Sequence, residues 1–150
     1  MTTVLVAVAG DDEDRVEPFA NVVETLGDAT DVEVHLVHVY SEDDIEKIEE
    51  MYDIDSRESR HLGTAAEHNT AVRELLDELE GRGFDPVTHG AVGETGPEVT
   101  DLAGSLDVDF AVVGGRRRSP AGKALFGSTS QNILLNAPCP VIYTGPGAGA

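Results

Sequence analysis

Scarcity marks this chain in several ways. It has one cysteine, Cys139, no tryptophan and only 5% aromatic residues. A single thiol excludes an internal disulfide framework and any multi-cysteine metal site. With so few rings, the core must be built from Val, Leu, Ile and Ala. No apolar run approaches the ~18 residues a membrane-spanning helix needs. The N-terminus, Met1-Thr2-Thr3-Val4, lacks a basic region and a small-residue cleavage site, so no signal peptide is expected and the cytoplasm is the expected location. Lysine occurs only at Lys47 and Lys123, and no Asp or Glu follows Asp109.

What is present is acid: 29 Asp and Glu against 10 Lys and Arg, a net charge of −19. Such a surface repels nucleic acid and anionic lipid, so neither is an expected partner. At ~1 M salt the Debye length is only ~3 Å, which screens self-repulsion. A salt-adapted protein is therefore expected. The charge is also uneven: residues 1–109 carry −23 and residues 110–150 carry +4. Burial, a partner surface or a bound anion must keep negative charge out of the last segment.

At 150 residues the chain matches one ordinary domain with one sizeable core. Thr3-Val4-Leu5-Val6-Ala7-Val8 reads as a strand buried on both faces. Asp11-Asp12-Glu13-Asp14 offers caps and favourable dipole charge for a helix carrying Val16, Phe19, Ala20, Val23 and Leu26, which Gly27 stops. Val32 to Val39 is a second strand. Residues 40–63 read as a solvated connection with one short helix, striped weakly by Ile45, Ile48 and Met51. Ala65, Asn69, Val72, Leu75, Leu76 and Leu79 share one face of a longer helix ending near Gly81-Arg82-Gly83. Pro86 to Val92 is a third strand. Thr95 and Glu98 look like a capping box, with Thr95 as N-cap, before a helix carrying Val99, Leu102, Ala103 and Leu106. Phe110 to Val113 is a fourth strand ending in Gly114-Gly115. A last helix carries Ile133, Leu134 and Leu135, and Val141 to Thr144 is a fifth strand. The expected domain is 1–144, followed by a flexible Gly/Pro/Ala tail, 145–150.

Strands that alternate with helices and lack polar alternation imply an α/β fold: one doubly wound, five-stranded parallel sheet with helices on both faces. Ligands of such sheets sit beyond the carboxyl ends of the strands. That rim holds Ala9 to Asp12, Val39 to Ser41, Gly93 to Thr95 and Gly114 to Ser130.

The stretch from Gly114 to Ser130 carries the chemistry. Arg116, Arg117, Arg118 and Lys123 supply four of the ten bases within eight residues. Gly127-Ser128-Thr129-Ser130 then opens a helix, whose free N–H groups and positive dipole end suit an oxyanion, with phosphate the obvious guest. A capped helix behind a charged loop is the alternative. The stretch is not a Walker A loop, because Ala124 follows Gly122-Lys123, and no G-x-G-x-x-G follows the first strand.

The spacing from Gly114 to Gly127-Ser128 resembles the nucleotide-binding pattern G-x-x-G-x9-G-[S/T] of the universal stress protein family. The similarity continues through Gln131-Asn132-Ile133 and Ala137-Pro138-Cys139-Pro140-Val141, and through Val4 to Val8 and Val37-His38-Val39. It implies an adenine-nucleotide alpha-hydrolase-like fold, homodimers through the last strand and, in one subgroup, ATP binding. On this resemblance Ala9, Gly10, Asp11, Val39, Gly114, Arg116, Arg117, Gly127, Ser128, Thr129 and Ser130 are the expected nucleotide-binding positions. Two positions depart from the family's pattern: Ala9 stands where the family has Asp, and Arg117 replaces the second loop glycine. Arg117 offers a charge-assisted contact to phosphate instead.

Other residues fit plainer roles. Asp11 and Asp12 are candidates to hold Mg²⁺ beside a phosphate chain, although helix capping is the favoured role. His35 and His38 face opposite sides of a strand, and His61, His68 and His89 show no ligand spacing, so no histidine metal site is expected. Cys139 reads as packing. An open apolar edge at Val141, Ile142, Tyr143 and Thr144 invites pairing with a second copy. The expected function is a nucleotide-binding regulatory domain of a stress response, without a dedicated catalytic base. The alternatives are a dimeric interaction module that binds no nucleotide, or a slow Mg²⁺-dependent ATP hydrolase or transferase.

Overall fold

The computed structural model describes residues 1–10, 12–52, 66–114 and 128–145, excepting the side chains of Ile48, Tyr52 and Ser128. Within them five strands form: β1 (Thr2–Ala7), β2 (Val32–Tyr40), β3 (Val87–Val92), β4 (Phe110–Gly114) and β5 (Val141–Thr144). All pair in parallel, in the order β3-β2-β1-β4-β5. The chain builds outward from β1 to β3, then returns to the other side of β1 for β4 and β5. The direction of winding therefore reverses between β1 and β4, where a parallel sheet opens a crevice at its carboxyl end.

The α-helices among the described residues are α1 (Val16–Leu26), α2 (Glu42–Tyr52), α3 (Thr70–Gly81), α4 (Thr95–Ser105) and α5 (Ser128–Asn136). Side chains alternate across a strand, so the uniformly apolar β1 feeds two cores. Val4, Val6 and Val8 face α1 and α3 and pack with Phe19, Val23, Val72, Leu75 and Leu79. Leu5 faces the other way, with Val37 and Val113, toward Val99 and Ala103 of α4 and Ile133 of α5. The sheet is covered on both faces as its strand composition predicts. The edge strands β3 and β5 are only partly buried.

Four local readings are corrected. The acids ahead of α1 do not cap it: Asp12–Arg15 forms a 3-10 turn, and the capping position is Arg15, with no side-chain cap bond. Thr95 is the first helical residue, not the N-cap, which is Glu94. The N–H that a Thr95 cap would take, that of Glu98, already donates to the Glu94 carbonyl at 3.1 Å. Asn69 is not on the apolar face of α3; its Oδ1 accepts from Val72 N–H at 3.2 Å, and it caps the helix. In α2 only part of the expected stripe is inward: Ile45 is fully buried against Tyr40 and Ala66, while Met51 is 72% exposed. The readings at 53–65 and 146–150 lie outside the described residues.

Candidate functional site

Beyond the carboxyl ends of β1 and β4 lies a cavity of about 250 Å³. That is just below the ~300–1,000 Å³ typical of small-molecule clefts. Its apolar wall is Ala7, Val37, Val39, Val99, Val113 and Ile133, and its polar residues are Asp12, Arg15, Thr95, Thr129 and Ser130. The wall follows from the fold. Val37 and Val39 point to the same face of β2 as Leu5 and Ala7 of β1, so the second core continues upward into the cavity. The first turn of α5 delivers Thr129 and Ser130 to the rim, with no acidic residue in that turn. Ser130 Oγ donates to the Gly114 carbonyl at 3.3 Å, tying the start of α5 to the end of β4.

A buried ion pair forms the remaining side. Arg15 Nη1 donates to Asp12 Oδ1 at 2.6 Å, with both residues about 95% buried (5% and 4% exposed). Asp12 Oδ2 accepts from Ala9 N–H at 2.8 Å, and Asp14 Oδ1 lies 3.5 Å from Arg15. A carboxylate thus closes the loop after β1 while its charge is balanced from below. Gly114 makes room for this pair. A Cβ at Gly114 would stand 2.6 Å from Arg15 Cδ and 3.2 Å from Phe19 Cζ. Only a glycine lets β4 end so close to the guanidinium stem.

Of the expected site residues, Ala9, Val39, Gly114, Thr129 and Ser130 line one cavity. Ser128 opens α5. Gly10 is exposed and approaches Asn69 and His38 on the other side of the loop. Asp11, Arg116, Arg117 and Gly127 lie outside the described residues. Asp12 is at the cavity, but as the partner of Arg15 and Ala9. Arg15 itself escapes sequence reasoning, because an arginine behind four acids reads as a solvated charge. The one available signal was its position three residues after Asp12, which suits an ion pair across one turn. Among the described residues no group of three or more His, Cys, Asp or Glu is arranged so that it could hold a metal ion. Burial raises the Cys139 thiol above its ordinary range, so it stays protonated and packs as an apolar group. No helix among the described residues is long and apolar enough to cross a membrane.

The model of the Universal stress protein family matches residues 1–144. A curated universal stress protein of Mycolicibacterium smegmatis is 41% identical over 49 residues, which is 33% of this chain and 38% of that protein. Solved structures share the fold over nearly the full length. A hypothetical protein whose biochemical function was assigned from its structure has a TM-score of 0.69 at 23% identity, covering 99% of this chain and 98% of the other. A universal stress protein in complex with cAMP gives 0.66 at 18% identity, covering 97% and 98%. A family protein from Arabidopsis thaliana with AMP bound gives 0.63 at 16% identity, covering 99% and 94%.

Proposed function

The chain belongs to the universal stress protein family, and from that premise we propose that it is a nucleotide-binding regulatory domain of a stress response, with ATP as its ligand. The observation that carries the reading is the cavity itself. It pairs an apolar wall, suited to a flat base, with a rim of hydroxyls at a helix N-terminus, suited to phosphate. The binding of cAMP and of AMP by proteins of this fold supports an adenine nucleotide. The base rests against Val37 and Val39, and Thr129, Ser130 and the backbone of α5 hold the phosphates. Arg116, Arg117 and Gly127 complete the phosphate site, as the resemblance implies.

Asp12 is engaged by Arg15 and by Ala9 N–H, which supports binding that does not depend on a metal held by this carboxylate. The site then works as a switch: occupancy shifts the balance between two conformations or assembly states to the extent that the ligand prefers one of them. Pairing of β5 with a second copy through Val141 to Thr144 is the assembly proposed, in a cytoplasm of high ionic strength.

Titration calorimetry with ATP, AMP and cAMP tests the reading, in Mg²⁺ and in EDTA. Saturable binding that survives EDTA and weakens about tenfold or more in Thr129→Val with Ser130→Val is expected. No binding of any of the three at millimolar concentration overturns it.

A further inference from the structure

Outside the cavity, the structure joins two histidines that are far apart in sequence. His35 of β2 and His89 of β3 face the same side of the sheet, and His35 Nδ1 lies 2.8 Å from His89 Nε2. Their ring centroids are 5.1 Å apart. With the facing nitrogens so close, that separation sets the rings end to end, meeting through one N···N contact. A contact of this kind holds one proton, since one nitrogen must donate and the other accept.

The surroundings decide where protons go. Glu33 Oε1 lies 3.4 Å from His35 Nε2 and favours an N–H there, which leaves Nδ1 as the acceptor for His89 Nε2–H. A first added proton binds His89 at Nδ1 while the bridging proton shifts to His35 Nδ1. The contact survives, with the new positive charge next to Glu33. A second added proton would place N–H groups on both facing nitrogens, and the contact must break. Among the described residues Glu33 is the charged group in contact with the pair. From β1 the neighbour is Leu5, and α4 turns Val99 and Ala103 inward while Asp101 stays exposed. His35 is 7% exposed and held between strands, whereas His89 is half-buried on an edge strand that pairs with β2 alone. His89 is therefore the side that yields.

We infer that the His35–His89 contact is an acid-opened clamp, which fastens the edge strand β3 to β2 until the pair takes up its second proton. Burial first, and the neighbouring His35 second, hold His89 below the usual imidazole range, in keeping with a proton refused by the closed form. The unfolded or opened chain accepts that proton near the ordinary ~6.5. Stability is therefore full above that value and declines as pH falls from it toward the depressed value of the closed state. The contact runs from His35, opposite Val87, to His89, opposite Val37, in the first half of the β2–β3 ladder, while the cavity lies toward the carboxyl ends of the strands.

The test is a ¹⁵N-imidazole NMR titration from about pH 8 to about pH 4 with amide exchange of β3 referenced to β1. His89→Gln keeps an N–H donor near the place of Nε2 and does not titrate. In the wild type, β3 protection should fall about tenfold against β1 as His89 protonates, with a His89 midpoint below that of an exposed histidine. In His89→Gln the ratio should stay flat over the same range. The inference is overturned if the ratio falls equally in His89→Gln. It is also overturned if both wild-type rings protonate independently at ordinary midpoints with β3 still protected, an outcome readable even if the variant does not fold.

Discussion

Asp12 and Arg15 show how a site can be held by residues that need not touch its ligand. Each neutralises the other at 2.6 Å, out of water. Asp12→Ala would take from the buried guanidinium its 2.6 Å carboxylate partner, a loss of about 3–5 kcal/mol that urea denaturation would measure. Gly114→Ala pushes a methyl against Arg15 and Phe19, and a cost of about 1–3 kcal/mol is expected in the same assay. That second outcome separates two explanations of this glycine. The resemblance assigns Gly114 to the ligand, while the structure gives it a local reason, the seat of Arg15. If Gly114→Ala weakens nucleotide binding without loss of stability, the local reason fails. Residue roles were the least legible part of the sequence. Cap, metal ligand and ion-pair partner are all chemically open to Asp12 in the sequence, and its pairing with Arg15 shows only in the structure.

At the scale of elements the sequence was far more readable, because burial on both faces forces unbroken apolar strands and helical faces repeat visibly. Leu75, Leu76 and Leu79 announce α3 by their spacing, and all three are buried. What escaped was the role of polar residues at the ends. Asn69 sits at helical spacing from Val72 and so passed for a member of the apolar face, yet its carbonyl oxygen takes the Val72 N–H. Asn69→Ala should therefore cost about 1 kcal/mol, and Asn69→Asp should cost much less, by thermal or urea unfolding. Arg82 illustrates the same limit. It bonds Glu78 within α3 and also Glu24 and Asn21 of α1, at 2.8 Å each. Nothing in the local sequence names those α1 partners. The His35–His89 contact was illegible for the same reason, since its two halves come from strands whose register is set by everything between them.

For the molecule as a whole, a charge of −19 sets stability against self-repulsion. Because ~1 M salt shortens the Debye length to ~3 Å, the melting temperature should climb steadily between ~0.01 M and ~1 M NaCl. A flat or falling profile in scanning calorimetry would show that the acids are balanced locally. The alternation of strands and helices predicted the doubly wound sheet, but the strand order β3-β2-β1-β4-β5 is a property of space. That order bears on synthesis. As the polypeptide leaves the ribosome, β1, β2 and β3 emerge in the sequence in which they sit side by side, so three of the five strands can assemble while the remainder is still being translated. Until β4 arrives, the nascent chain carries β1 with one flank unpaired, and the cleft cannot exist, because one wall has yet to be made.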